Sequence, residues 1–220
     1  CGDLECCPFL YYYNYFRKFN TDVICIEDTN KLKKIHSNDI VIIGGGGLLD
    51  CSAVWNDNIN LILEKSDNVI GWAVGFNTHY DNHSKKPHIN FDKFKLLSIR
   101  DFNHPSGLPY LPCVSLKNPL LNIEKPIVRD VGVINHFAYG IPSSFDSITN
   151  HSDICKIINF IAESEQIITS TYHSALWAMF MGKPVSVINK FSPKFDFFEY
   201  KPKFFNDIFE WVSQSKYILL

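Results

Sequence analysis

Short apolar runs alternate with helical periodicity along most of the chain, and this alternation constrains the fold more than any other feature. DVICIED (22–28) and DIVIIGG (39–45) are nearly all apolar inside, as strands are when both faces of their sheet are covered. Residues 52–65 then place Val54, Trp55, Ile59, Ile62 and Leu63 on roughly one helical face. NVIGWAVGF (68–76) and LLSIRD (96–101) are the next predicted strands. The same alternation restarts with strands at VRDVGVI (128–134), QIITS (166–170) and VSVIN (185–189). Between them, SDICKIINFIAESE (152–165) is a predicted helix capped by Ser152, with Ile154, Ile157, Ile158 and Ile161 in one stripe. YHSALWAMFM (172–181) is a second helix, closed by Gly182, and NDIFEWVSQS (206–215) a terminal one. Strand–helix–strand order of this kind predicts an α/β protein with mainly parallel sheets.

Two breaks organise the chain. Residues 77–94 are polar, hold three histidines and read as a loop. Prolines at 105, 109, 112, 119 and 126 punctuate the second break, which suits a crossing between lobes. The expected organisation is an N-terminal Rossmann-like lobe over 1–125 and a C-terminal one over 126–220.

Composition excludes several classes. A formal charge of −2 with no dominant Lys/Arg cluster gives nucleic-acid binding no electrostatic support. The longest apolar runs are too short to span a bilayer, and no stretch resembles a signal peptide. Seven cysteines, an odd number with no CxxC pair, predict a reducing, cytoplasmic setting without a disulfide framework or zinc site. Cys25 and Cys155 lie in apolar periodic segments and are expected to be buried as small hydrophobes. The chain opens on Cys1 rather than Met, which leads to the expectation of a preceding segment.

Four segments could carry chemistry. Gly44–Gly47 end an apolar run and lead toward a helix, where free backbone N–H groups at a sheet edge can meet an anion. The spacing fits neither dinucleotide nor P-loop fingerprints, so a tight turn packed on a neighbour competes with ligand approach. In IITSTYHSALWAM, Ser170 and Thr171 can cap the helix that brings His173 and Ser174 into its first turn. His173 there could move a proton, or simply pack. Arg100 and Asp101 end a strand; adjacent strand residues face opposite ways, so one can serve a cleft while the other ties a loop. Arginine suits carboxylate or phosphate. His79, His83 and His88 read as surface histidines rather than metal ligands. FSPKFDFFEYKPKFF (191–205) is expected to pack its rings and leave its lysines in water.

Together these segments resemble the polysaccharide pyruvyl transferase-like family. CGDLECCPFLYYYNYF looks like its N-terminal Gly-Asp motif and aromatic helix, VIIGGGGLLD like its glycine-rich loop, and LLSIRD like its Arg-Asp strand end. YLPCVSLKNPLL stands where the family has a proline-containing segment, and IITSTYHSALWAMFMGKPVSVI resembles its His-bearing helix start followed by Gly-Lys-Pro-Val. Thr171 stands where members with demonstrated pyruvyl transfer carry arginine. The resemblance implies two Rossmann-like lobes of GT-B type with a cleft between them. It implies transfer of a pyruvyl group from phosphoenolpyruvate to a sugar hydroxyl of a cell-surface polysaccharide, forming a ketal. By it Asp3, Arg100 and His173 are catalytic, and Gly45, Gly46, Gly47, Asp101, Ser170, Thr171 and Ser174 bind substrate. It implies no metal and no cofactor beyond the phosphoenolpyruvate donor, a glycan or lipid-linked saccharide acceptor, and a cytoplasmic enzyme with peripheral contact at the inner face of the membrane. A nucleotide-sugar glycosyltransferase and a non-catalytic sugar- or nucleotide-binding relative are the competing readings.

Overall fold

The computed structural model describes residues 3–78, 87–138 and 140–215. They form two compact units, one of Asp3–Ser115 with Ser192–Phe197, the other of Leu116–Phe191 with the chain from Phe198 onward. The division falls after Ser115 rather than at 125, because the 3-10 turn Pro119–Asn122 buries Leu121 and packs against a helix of the second unit.

The first unit holds three parallel strands, β1 (Ile40–Leu49), β2 (Asn68–Phe76) and β3 (Leu96–Ile99), in that order across the sheet. Short helices α1 (Pro8–Tyr11), α2 (Tyr13–Phe16) and α3 (Thr29–Leu32) precede the sheet in the chain, and α4 (Ala53–Lys65) crosses from β1 to β2. Ser52 Oγ accepts from Trp55 N at 3.2 Å and caps α4. Ile59, Ile62 and Leu63 bury into a core with Ile43, Leu49, Val69, Val74 and Ile99. Val54, expected on that face, is 57% exposed, and the buried face takes Asn56 and Asn58 instead.

Asn58, with Trp55 of the same helix, explains why 22–28 is not a strand. Ile24 and Ile26 do pack against the core, but Asn58 Nδ2 donates to Ile26 O at 2.8 Å and Trp55 Nε1 to Glu27 Oε1 at 3.1 Å. The segment is held by side chains of α4 rather than by a sheet neighbour, and Cys25 is left exposed. Nor does β1 stop at residue 45: it runs through all four glycines and pairs Gly44 with Trp72 and Gly46 with Val74 before its register shifts. After β3, the proline segment returns beside it, with Ile99 N donating to Pro109 O and Leu111 N to Ile99 O, both at 2.8 Å.

In the second unit, five strands lie in the order β5-β4-β6-β7-β8, every pair parallel. They are β4 (Arg129–Asn135), β5 (Ser147–Thr149), β6 (Ser164–Thr169), β7 (Val185–Ile188) and β8 (Lys203–Phe205). Helices α5 (Ile154–Ala162), α6 (Tyr172–Phe180) and α7 (Ile208–Ser213) follow β5, β6 and β8. Numbered within the unit, the order is 2-1-3-4-5, a doubly wound sheet whose direction reverses between β4 and β6. Val131, Val133, Ile168, Ile188, Ile208 and Trp211 form one core cluster. The cap of α5 is Asp153, whose carboxylate accepts from Lys156 N at 2.8 Å, rather than Ser152; Cys155 is exposed on its surface. Gly182, at φ +73°, ends α6 as its sequence implied, and Lys183 Nζ donates to Ala162 O at the end of α5. Among the described residues, no helix is long and apolar enough to cross a membrane.

Candidate functional site

What approaches the glycine run most closely is the chain's own amino-terminal segment. A Cβ on Gly44 would overlap Pro8 Cδ, and one on Gly45 would lie 2.9 Å from Cys6 Cβ and 3.0 Å from Cys6 O. At Gly47 it would meet Asn77 Cβ at 2.7 Å. Gly46 differs: its φ is +87°, a left-handed conformation that favours glycine, and its missing Cβ would lie 3.2 Å from Asp3 Oδ1. Three of the four, Gly44–Gly46, therefore seat Asp3–Pro8 against β1 and hold the Asp3 carboxylate over Gly46, while Gly47 makes room for Asn77. Gly2 lies outside the described residues.

Around this point the carboxyl ends of β1, β2 and β3 gather ionisable groups. Ligands favour that edge of a parallel sheet. Arg100, 4% exposed, follows β3 and lays its guanidinium against Gly75 of β2, where a Cβ would overlap Nε. Asp101, 1% exposed, turns its Oδ2 to Phe76 N at 2.8 Å; its Oδ1 has no hydrogen-bond partner among the described residues. The two neighbours thus hold separate anchors, as strand geometry implied. Burial pushes the Asp101 carboxyl up to about 6, against the pull of Arg100, the Phe76 N–H and Lys194.

Lys194 completes the group, contrary to the expectation that lysines of its stretch stand in water. It sits on the 3-10 turn Pro193–Phe197, and its Nζ donates to Asn77 Oδ1 at 2.7 Å. Burial, then the Arg100 charge, lowers it to about 8, while Asp3, Cys51 and Asp101 pull the other way. Cys6 and Cys113 are the buried thiols here, not Cys25 and Cys155; their sulfurs lie 3.3 Å apart, and burial raises the Cys6 thiol. Such a protonated thiol is a poor nucleophile. His104 stacks on Phe76 at 4.1 Å and meets Phe197 edge-on at 4.6 Å. Burial lowers its pKa, with Asp50 opposing.

The second unit places its own polar group at the reversal of its sheet. His136 follows β4 and Ser170 follows β6, and His136 N donates to Ser170 Oγ at 3.0 Å across that point. Ser170 therefore bridges two strand ends, contrary to the cap expected of it. Thr171 is the N-cap of α6 by position but makes no side-chain cap bond; its hydroxyl lies 3.1 Å from that of Thr169, which donates to Ile134 O. His173 is in the first turn of α6, half-buried, its ring against Tyr172 and Trp177. Ser174 beside it is buried. A cavity of about 660 Å³ opens at the opposite edge of this sheet, among Gln166, Lys183, Val185, Lys203 and Trp211. The polar groups are not there.

Within the first unit the structure thus assembles Asp3, Gly45, Gly46, Gly47, Arg100 and Asp101, and within the second Ser170, Thr171, His173 and Ser174. Asn77 and Lys194 were missed. Asn77 is the first polar residue after a predicted strand, a signal that could have been used; Lys194 carries none, because only the return of 192–197 to the first unit brings it in. His79 and His83 lie outside the described residues, and His88 is exposed. No family model matches the chain, and neither a curated protein nor a solved structure matches it.

Proposed function

We propose that the chain is a transferase of cell-surface polysaccharide synthesis that moves a pyruvyl group from phosphoenolpyruvate to a sugar hydroxyl. One observation carries the reading furthest: Arg100, buried at the carboxyl edge of a parallel sheet, shares that edge with the Asp3 carboxylate over a glycine of positive φ. A guanidinium there suits the carboxylate or phosphate of an anionic donor, and a carboxylate suits an acceptor hydroxyl. In this reading the two units are the lobes of a GT-B-type arrangement, and His173 serves the same reaction. The enol carbon C3 takes a proton as a sugar oxygen bonds to C2. Phosphate then leaves C2 with the bonding pair, and a second hydroxyl closes the ketal as its proton passes to the departing phosphate. Arg100 holds the carboxylate or phosphate, Asp3 draws the proton from the attacking hydroxyl, and His173 gives the proton to C3.

A second reading has its own support. The 2-1-3-4-5 sheet with α6 starting at the reversal is an arrangement that holds nucleotide phosphates, which favours a nucleotide-sugar glycosyltransferase. Donor binding separates the two. A ligand bound only by the native state raises the melting temperature by mass action. We expect phosphoenolpyruvate to raise it, Arg100→Lys to weaken the rise, and UDP-, GDP- and CMP-sugars to leave it unchanged. A rise with one nucleotide sugar alone would replace the pyruvyl donor, and silence across the panel would leave a non-catalytic relative.

A further inference from the structure

We propose that Lys194 is a second anion-binding cation of the first unit, and that with Arg100 it takes the doubly charged group of a small carboxylate- or phosphate-bearing ligand. The proposal deepens the reading above and rests only on its anion-handling part. Lysine ordinarily keeps its ammonium in water. Here the turn that carries it is fastened to the first unit from several sides. Ser192 Oγ donates to Thr78 O, Phe102 N to Phe197 O at 2.8 Å, Phe195 is 0% exposed, and Asn77 Oδ1 accepts from Nζ itself. Such fastening fixes one ammonium beside Asn77 at the end of β2, two residues beyond the Gly75 against which the Arg100 guanidinium lies, and the two charges repel.

The charged and titratable groups facing Lys194 are Arg100, Asp3, Cys51 and Asp101. Asp3, Cys51 and Asp101 attract the ammonium, and Asp101 also accepts from Phe76 N through one oxygen. Their attraction does not offset burial and Arg100, since the ammonium gives up its proton more readily than in water. An arriving dianion reverses that balance: it meets a planar guanidinium able to bind it in two places and a point charge able to bind it from another side. Arg100 is almost fully buried, which raises the worth of each contact.

Calorimetric titration of the purified protein with sulfate, phosphoenolpyruvate and UDP-glucose tests this. Sulfate stays doubly charged from pH 6 to 10, so any change in its binding belongs to the protein. Lys194→Met should weaken sulfate and phosphoenolpyruvate by about tenfold or more, the range of hydrogen bonds to charged groups, and Lys194→Arg should restore most of it. In the wild-type protein sulfate affinity should fall between pH 7 and 9, and in Lys194→Met that fall should vanish. Equal binding by the wild type and the Met variant would overturn the proposal. Should that variant not fold, a flat wild-type sulfate profile overturns it just as well. Phosphoenolpyruvate bound equally with and without Lys194 removes this lysine but leaves the pyruvyl reading. Sulfate bound through Lys194, with phosphoenolpyruvate no tighter, keeps the lysine and removes that reading. No anion bound at all removes both.

Discussion

At Asp101 and Lys194 the fold works against the charged form of two side chains, and that has consequences for stability in opposite pH ranges. Asp101 rises from its ordinary 3.8 to about 6, so across that interval the native state holds a proton that the unfolded chain has lost. Stability from this group is greatest below 3.8 and falls as pH climbs to about 6, by roughly 3 kcal/mol over the interval. Lys194 drops from 10.5 to about 8, so between those values the unfolded chain holds the extra proton and stability rises with pH. Urea midpoints across pH should therefore slope down from 3.8 to 6 and up from 8 to 10.5. Asp101→Asn should flatten only the acid slope and Lys194→Met only the alkaline one; loss of both slopes in either variant would contradict the assignment. Neither shift could be read from sequence. SIRD shows the pairing of types but not that both side chains are buried, and FSPKFD shows a lysine among rings that looks solvated.

The elements were more legible. β1, β2, β4, β6 and β7 are apolar runs that could satisfy their backbones only in a covered sheet, and α4, α5 and α6 carry apolar residues at helical spacing. β5 and β8, at three residues each, are too short to show a period. DVICIED failed as a strand for a reason located elsewhere, since the carbonyl it would have offered to a neighbour is taken by Asn58. The glycine run was half read: its demand for close approach was evident, the identity of what approaches was not. That identity makes a prediction. Gly45→Ala forces a methyl onto Cys6 Cβ and Cys6 O, one of them backbone and unable to swing aside. It should cost about 1–3 kcal/mol, as overpacking does, and should detach the segment from Asp3 to Pro8. Hydrogen exchange at the amides of residues 6–12 would report this, with faster exchange expected there than in β4 or β6. Unchanged exchange would mean that the amino-terminal segment does not depend on the bare backbone of β1.

At the scale of the whole molecule, the decisive feature is that the first unit is not continuous in sequence. Ser192–Phe197 leaves the second unit after β7, joins the first, and returns for β8 and α7. A reading that cuts the chain once, at 125, cannot place Lys194 beside Arg100; a chain that crosses again can. Proline punctuation marks the first crossing well but gives only Pro193 for the second, and a run of phenylalanines reads equally well as core of either half. Phe195 distinguishes the two. It is 0% exposed and assigned to the first unit, though the chain on either side of its turn, up to Phe191 and from Phe198, serves the second. Phe195→Ala should remove about 3–5 kcal/mol of packing, the usual cost of truncating a buried phenylalanine. The loss should fall on the amides of β1, β2 and β3 in native-state hydrogen exchange, while those of β4 and β6 keep most of their protection. Loosening confined to β7 and β8 would instead assign the turn to the second unit, and Lys194 would then have no fixed place at the end of β2.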